Sequence, residues 1–178
     1  MFAFPFWAGQ ITVVIGWLLY RTVVVAKKKS VDWKWEAVLI LFLINLLVLY
    51  RITFHPFEKV DGQVQPLLFD IHALWPFWIN LKPFVYLLDY PTKGEILINI
   101  IGNSAMFIPT GIMVPLLYKN LNSFKKTLLT GFLISLSIEI IQLPFFGRCS
   151  DVDDLILNTL GCIAGYGILS LVRLTKRH

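Results

Sequence analysis

The sequence predicts an all-α fold, a polytopic transmembrane helical bundle of about five helices, and three observations predict it. Hydrophobic residues make up 57% of the 178 and mean hydropathy is +0.71, where soluble domains hold roughly 45–50% apolar residues. Charge-free runs fill residues 1–20, 96–118 and 155–172, each close to the ~20 residues that cross a bilayer as a helix. No set of short segments alternates with period two, which removes a transmembrane barrel. The length suits a single membrane domain, residues 1–178, without a second soluble one.

Helix 1 is expected over residues 6–25. No basic segment precedes it, no small-residue cleavage site follows it, and Lys27, Lys28 and Lys29 come after the apolar run, so it reads as a retained membrane helix and not a signal sequence. Helix 2 spans residues 36–54; Arg51 near its end can snorkel to the interface. The connection from 55 to 95 carries Phe69, Trp75, Phe77, Trp78, Phe84, Tyr86 and Tyr90, interrupted by Pro76 and Pro83. It is too broken to span and belongs at the membrane surface, as an anchoring belt or a rim over a site. Helix 3 covers residues 96–118, with Pro109 and Gly111 expected to kink it near its middle. Helix 4 covers 127–146 and helix 5 covers 154–172, where Gly161 and Gly165 form a small-xxx-small face for close helix approach. Cys149 falls in a loop and Cys162 roughly 12 Å deeper at 1.5 Å per residue, too far apart for a bridge.

The net charge of +5 is distributed for orientation, not for nucleic acid. Arg21, Lys27, Lys28, Lys29, Lys34, Lys119, Lys125, Lys126, Arg173, Lys176 and Arg177 fall on one side; Arg51, Lys59, Lys82, Lys93 and Arg148 fall on the other. The positive-inside rule then puts the N-terminus outside and the C-terminus in the cytoplasm.

Glu139 is the acidic residue inside the apolar run of helix 4. A carboxylate at such depth costs on the order of 2.5–3.5 kcal/mol on insertion scales and needs partners in protein or a wet cavity. At 1.5 Å per residue, Asn99 lies roughly 5 Å and Asn103 roughly 11 Å below the outer end of helix 3. Gln142 and Glu139 lie about 6 and 10 Å below the outer end of helix 4, and Asn158 about 6 Å below Asp154. The strongly polar groups of helices 3 to 5 therefore share the outer half of the membrane. Within each helix they keep i,i+3 or i,i+4 spacing: Asn99 with Asn103, Ser135 with Glu139 and Gln142, Asp151 with Asp154 and Asn158. Asn45 of helix 2 reads as an interhelical hydrogen-bond lock. Asp151 and Asp154 suit the cap and dipole of helix 5, leaving Asp153 and Arg148 as functional candidates.

Other chemistries lack their residues. His55 and His72 are in the loop and His178 is terminal, so no Ser-His-Asp set forms at one depth. There is no zinc spacing and no glycine-rich phosphate loop. Glu139 with Asp151, Asp153 and Asp154 offers oxygen ligands for a divalent cation, but the same pattern suits a capped, salt-bridged turn; no metal and no cofactor are expected.

Taken in order, these residues resemble the VanZ-like family of small bacterial membrane proteins. The resemblance runs from about residue 79 to 167: Asn80-Leu81-Lys82-Pro83-Phe84, then Asn99 and Asn103 before Phe107-Ile108-Pro109-Thr110-Gly111, then Glu139 and Gln142 as E-x-x-Q. Arg148, Asp151, Asp153-Asp154, Asn158-Thr159 and Gly161 follow. Thr110, where the family usually has an apolar residue, and Cys162, where Gly is common, depart from the pattern. The resemblance implies a cell-envelope role tied to resistance to glycopeptides of the teicoplanin type, with Asn80, Lys82, Asn99, Asn103, Glu139, Gln142, Arg148, Asp151, Asp153, Asp154 and Asn158 as the candidate ligand-binding set. Two functions stay open. One is a binding protein that holds a lipid, a lipid-linked envelope component or a lipophilic drug. The other is an intramembrane transferase or hydrolase acting on a lipid-linked sugar or phosphate, with Glu139 as general base and Arg148 and Lys82 binding phosphate. A proton-coupled transporter is disfavoured, because no ionisable relay crosses the inner half.

Overall fold

The computed structural model describes residues 1–28, 31–55, 59–76, 78–85 and 90–176. Lys29, Phe77, Tyr86, Arg177 and His178 lie outside the described residues. Five long helices account for most of the chain: α1 (Phe6–Lys28), α2 (Trp33–Phe54), α3 (Lys93–Leu117), α4 (Phe124–Gln142) and α5 (Val152–Thr175). Side-chain caps set several starts. Asp32 accepts from the Lys34 and Trp35 amides, so α2 begins three residues before the expected Glu36, and Thr92 accepts from the Glu95 amide to start α3. The fourth helix ends at Gln142 and not at Phe146, because Pro144 cannot continue it. The fifth begins at Val152, capped by Asp151, whose carboxylate accepts from the Asp153 amide.

Helices α1, α2, α3 and α5 are long and apolar enough to cross a membrane by length and composition. The 19 residues of α4 include Lys125, Lys126 and Glu139, yet it pairs with α5 along its whole length. The Cys162 thiol meets the Thr127 carbonyl, Asn158 meets Ser135, and Ser150 meets the Glu139 carbonyl. In that antiparallel register α4 lies along α5 from its start to about Tyr166. The chain is a multi-pass, all-α membrane bundle.

Helices α3 and α5 run parallel at the centre, with 39% and 33% of their spanning windows buried. They touch through backbone. A Cβ at Gly161 would collide with the Ser104 carbonyl, and one at Gly165 with the Ile108 carbonyl, so only glycine admits this approach. Pro109 and Pro115 lie inside the continuous α3. Helix α2 packs antiparallel on α3, where Asn45 donates to the Met106 carbonyl at 3.1 Å and accepts from the Thr110 hydroxyl at 2.8 Å. Asn45 is thus the interhelical lock expected of it. Helix α1 is peripheral, with none of its window buried; it meets α2 through the Arg21–Glu36 ion pair at 2.6 Å and the Phe6–Tyr50 ring stack.

Three short strand pairs gather at one end. β1 (Phe2–Phe4) pairs antiparallel with β4 (Leu67–Phe69), β2 (Lys59–Val60) forms a hairpin with β3 (Gln63–Val64), and β5 (Ile79–Asn80) runs parallel to β6 (Ser150–Asp151). Asp61 and Gly62 at the hairpin tip both have positive φ, the conformation that favours Asp-Gly there. Phe4, Phe69 and Phe145 meet edge to face. Trp75, Trp78 and Phe84 stay exposed, consistent with a surface-lying aromatic segment. Among the described residues the opposite end has only short connections, 31–32 and 118–123, against the three strand pairs of the first end.

Candidate functional site

Helix α4 carries its polarity inward. Its buried residues are Thr127, Gly131, Ser135, Glu139 and Gln142, spaced to one face, while Leu129, Leu133, Ile140 and Ile141 are exposed, as a lipid-facing surface requires. Near the strand-capped end this inward face opens on a polar cavity of about 180 Å³. Ile52 and Thr53 of α2, Asn103 and Met106 of α3, and Glu139 and Gln142 of α4 form three walls. Gly147, Arg148 and Cys149 of the following turn, with Asp154 and Asn158 of α5, complete it.

Glu139 is 6% exposed, and one of its carboxyl oxygens accepts from the Asp151 amide at 2.9 Å. This bond ties the helix to the first turn of α5. Gln142 donates to the Thr53 carbonyl at 2.6 Å and Arg148 donates to the Phe54 carbonyl at 2.6 Å, which fastens α2 to α4 and its turn. Burial lowers the pKa of the Arg148 guanidinium, which nonetheless stays charged. No ion pair joins it to a described carboxylate. On the α3 wall a chain of bonds runs outward: Asp154 accepts from Asn103 at 2.6 Å, Asn103 donates to Asn99 at 3.2 Å, and Asn99 donates to the Tyr90 hydroxyl at 3.0 Å. On the α5 wall Asn158 donates to the buried Ser135 hydroxyl at 3.0 Å.

Of the sequence-derived candidates, the fold brings Asn103, Glu139, Gln142, Arg148, Asp154 and Asn158 around one space, with Asn99 one bond behind. Asn80, Asp151 and Asp153 do something different. Asn80 donates to Asp151 at 2.9 Å, and Asp153 accepts from the Phe84 amide at 2.8 Å, where Phe84 has a φ of 64° that bulky residues rarely adopt. These three hold the aromatic segment to the start of α5. Asp154, which by sequence suited the cap and also stood among the candidate ligand-binding residues, reaches the cavity, because α5 begins one residue after Asp151 and turns Asp154 onto the α3 face. Lys82 is exposed and lines no part of the cavity. Sequence reading missed Thr53, Met106 and Cys149. Thr53 acts through its backbone carbonyl, which no side-chain pattern advertises.

The Cys149 thiol is pushed up from its ordinary value, first by desolvation and then by the nearby Asp151, Glu139 and Asp154 carboxylates; a thiol kept protonated is a poor nucleophile. Both cysteines are free. Among the described residues no group of three or more His, Cys, Asp or Glu is placed to hold a metal ion.

Neither a curated protein nor a solved structure matches the chain. A sequence model of the VanZ/LLP1 family matches residues 38–173, which takes in most of α2, strands β2 to β6, helices α3 and α4, and nearly all of α5. With that match over most of its length, the chain belongs to the VanZ/LLP1 family.

Proposed function

We propose that this protein binds the polar headgroup of a lipid, a lipid-linked envelope component or a lipophilic drug in the cavity at its strand-capped end. Through that binding it modulates the cell surface and contributes to protection against glycopeptides of the teicoplanin type. The observation that carries the reading is the cavity itself: two carboxyl groups, three amides and a guanidinium surround open space within an otherwise apolar bundle. Ionisable residues inside a membrane protein are costly and mark binding or transport sites. The Lys and Arg distribution supports an orientation with this end and the N-terminus outside and the C-terminus in the cytoplasm, which would open the cavity toward the outer leaflet. A C-terminal reporter that is active only outside the membrane tests the orientation, and activity there would overturn it.

Binding is favoured over the transferase or hydrolase alternative because the cavity holds no activated nucleophile and the Glu139 carboxyl is already tied to the Asp151 amide. The decisive experiment is Glu139→Gln in cells challenged with teicoplanin, with lipid and cell-wall-precursor profiles recorded beside it. Gln keeps the shape and an acceptor for the Asp151 amide but loses the carboxyl chemistry. Normal membrane abundance with loss of protection is expected. Protection at the wild-type level would reduce Glu139 to a link between α4 and α5.

A further inference from the structure

Resting on the headgroup-binding reading, we infer that the cavity selects a headgroup that donates several hydrogen bonds, through hydroxyl or ammonium groups, over a bare phosphate. A backbone carbonyl only accepts, so the bond to Thr53 fixes the Gln142 NH2 on that side and leaves the Gln142 oxygen without a described protein donor. Asn103 directs its NH2 to Asp154 and Asn99, leaving its oxygen in the same condition. Asn158 spends its NH2 on Ser135. Its oxygen is buried and has no partner, in a residue only 2% exposed that lines the cavity. Asn103 gives both N–H groups to the protein, Gln142 and Asn158 give at least one each, and all three keep an acceptor oxygen back.

The carboxyl groups extend the pattern. Glu139 and Asp154 each use one oxygen on a protein donor. Arg148 is the strong donor of the lining, and part of its capacity is spent on Phe54. Buried acceptors without partners cost free energy unless a ligand supplies the donor, and the most enclosed of them is the Asn158 oxygen. A phosphate brings only acceptors and would face two carboxyl groups. A hydroxylated sugar or a primary ammonium brings donors to the oxygens, with Arg148 free to take a neighbouring anionic group.

The test uses the purified full chain in nanodiscs, with competition binding read by native mass spectrometry. Five diacylglycerol lipids with identical tails serve as probes: phosphatidylethanolamine, phosphatidylcholine, a glucosyl lipid, its permethylated form, and phosphatidic acid. Ethanolamine and choline carry the same charge but differ in N–H donors; the two glucosyl lipids differ in O–H donors. In at least one pair the donor-bearing lipid should bind about tenfold tighter, and the responding pair identifies the source of the donors. Asn158→Ala should abolish most of that preference, and Asn158→Asp, which keeps acceptor oxygens, should retain it. The wild-type panel decides the matter even if Asn158→Ala fails to fold. Phosphatidic acid binding as tightly as the donor lipids would overturn this inference and leave headgroup binding standing. Equal binding of all five would overturn both. An unchanged preference in folded Asn158→Ala would remove Asn158 as the reader and the inference with it.

Discussion

Helices α3 and α5 meet in two ways along one seam. At its middle the seam is backbone against backbone, with Gly161 on the Ser104 carbonyl and Gly165 on the Ile108 carbonyl. Toward the strand-capped end the same helices meet through the side chains of Asn103 and Asp154, hydrogen-bonded at 2.6 Å in the lining of the cavity. The first contact leaves no room for a ligand and the second leaves a cavity beside it. What separates scaffold from candidate site on one helix pair is thus side-chain length at the interface, glycine against amide and carboxyl.

The hardest way to break that division is to put a side chain into the glycine seam. Gly161→Leu forces α3 and α5 apart where the obstruction is a backbone carbonyl that cannot rotate away. Overpacking of this kind costs typically 1–3 kcal/mol, occasionally more, and here the upper end or beyond is expected. Membrane abundance and the thermal midpoint in detergent should both fall sharply. A variant as abundant and stable as wild type would show that the seam does not bear the bundle's stability.

A milder change separates polar residues that lock helices from those that line the cavity. Asn45 joins α2 to α3 through two hydrogen bonds and lines no part of the polar cavity. Bonds of this kind in membranes are worth about 0.6 kcal/mol on average, with ~1.7 at most. Asn45→Leu should therefore lower stability by roughly 1–2 kcal/mol while protection in cells persists wherever the protein is still made. Loss of protection at full abundance would place Asn45 in the site.

Much of this division was legible from sequence because its causes are local and periodic. Apolar runs fixed the helices, and the i,i+4 spacing of glycines marked the seam. The spacing of Glu139, Gln142 and Ser135 put them on one inward face. Depth counting brought Asn103, Glu139 and Asn158 to similar depths, below Asp154 at the outer end of helix 5. Direct pairing was not legible. Glu139 bonds to a backbone amide, and Gln142 and Arg148 bond to the Thr53 and Phe54 carbonyls, partners that carry no side-chain signature. Which of Asp151 and Asp154 would cap helix 5 was not legible either: the cap is Asp151, because α5 starts one residue after it.

The smallest expected effect concerns the strand-capped end, where His55 is buried just past α2 at 1% exposure. Its Nδ1 faces the Gln65 carbonyl at 3.1 Å, an acceptor only, so that nitrogen carries the proton and Nε2 accepts from the Tyr50 hydroxyl at 2.9 Å. Burial first, then the charges of Arg51 and Arg148, hold its pKa below the ordinary 6.5, against a raising contribution from the Gln65 carbonyl. Above pH 6.5 the folded and unfolded chains both keep the ring neutral, and its contribution to stability is complete. As pH falls below that value the unfolded chain takes up a proton that the folded chain resists, so stability declines toward the lowered folded pKa. Thermal midpoints between pH 7.5 and 5 should therefore drop more steeply for wild type than for His55→Asn, which keeps a donor for Gln65 but cannot titrate. Parallel slopes would mean that His55 protonates as readily in the fold as outside it. Both proteins share the same glycine seam, which His55 does not touch, so its pH response is common to the two. A difference between them then belongs to the end that carries the cavity.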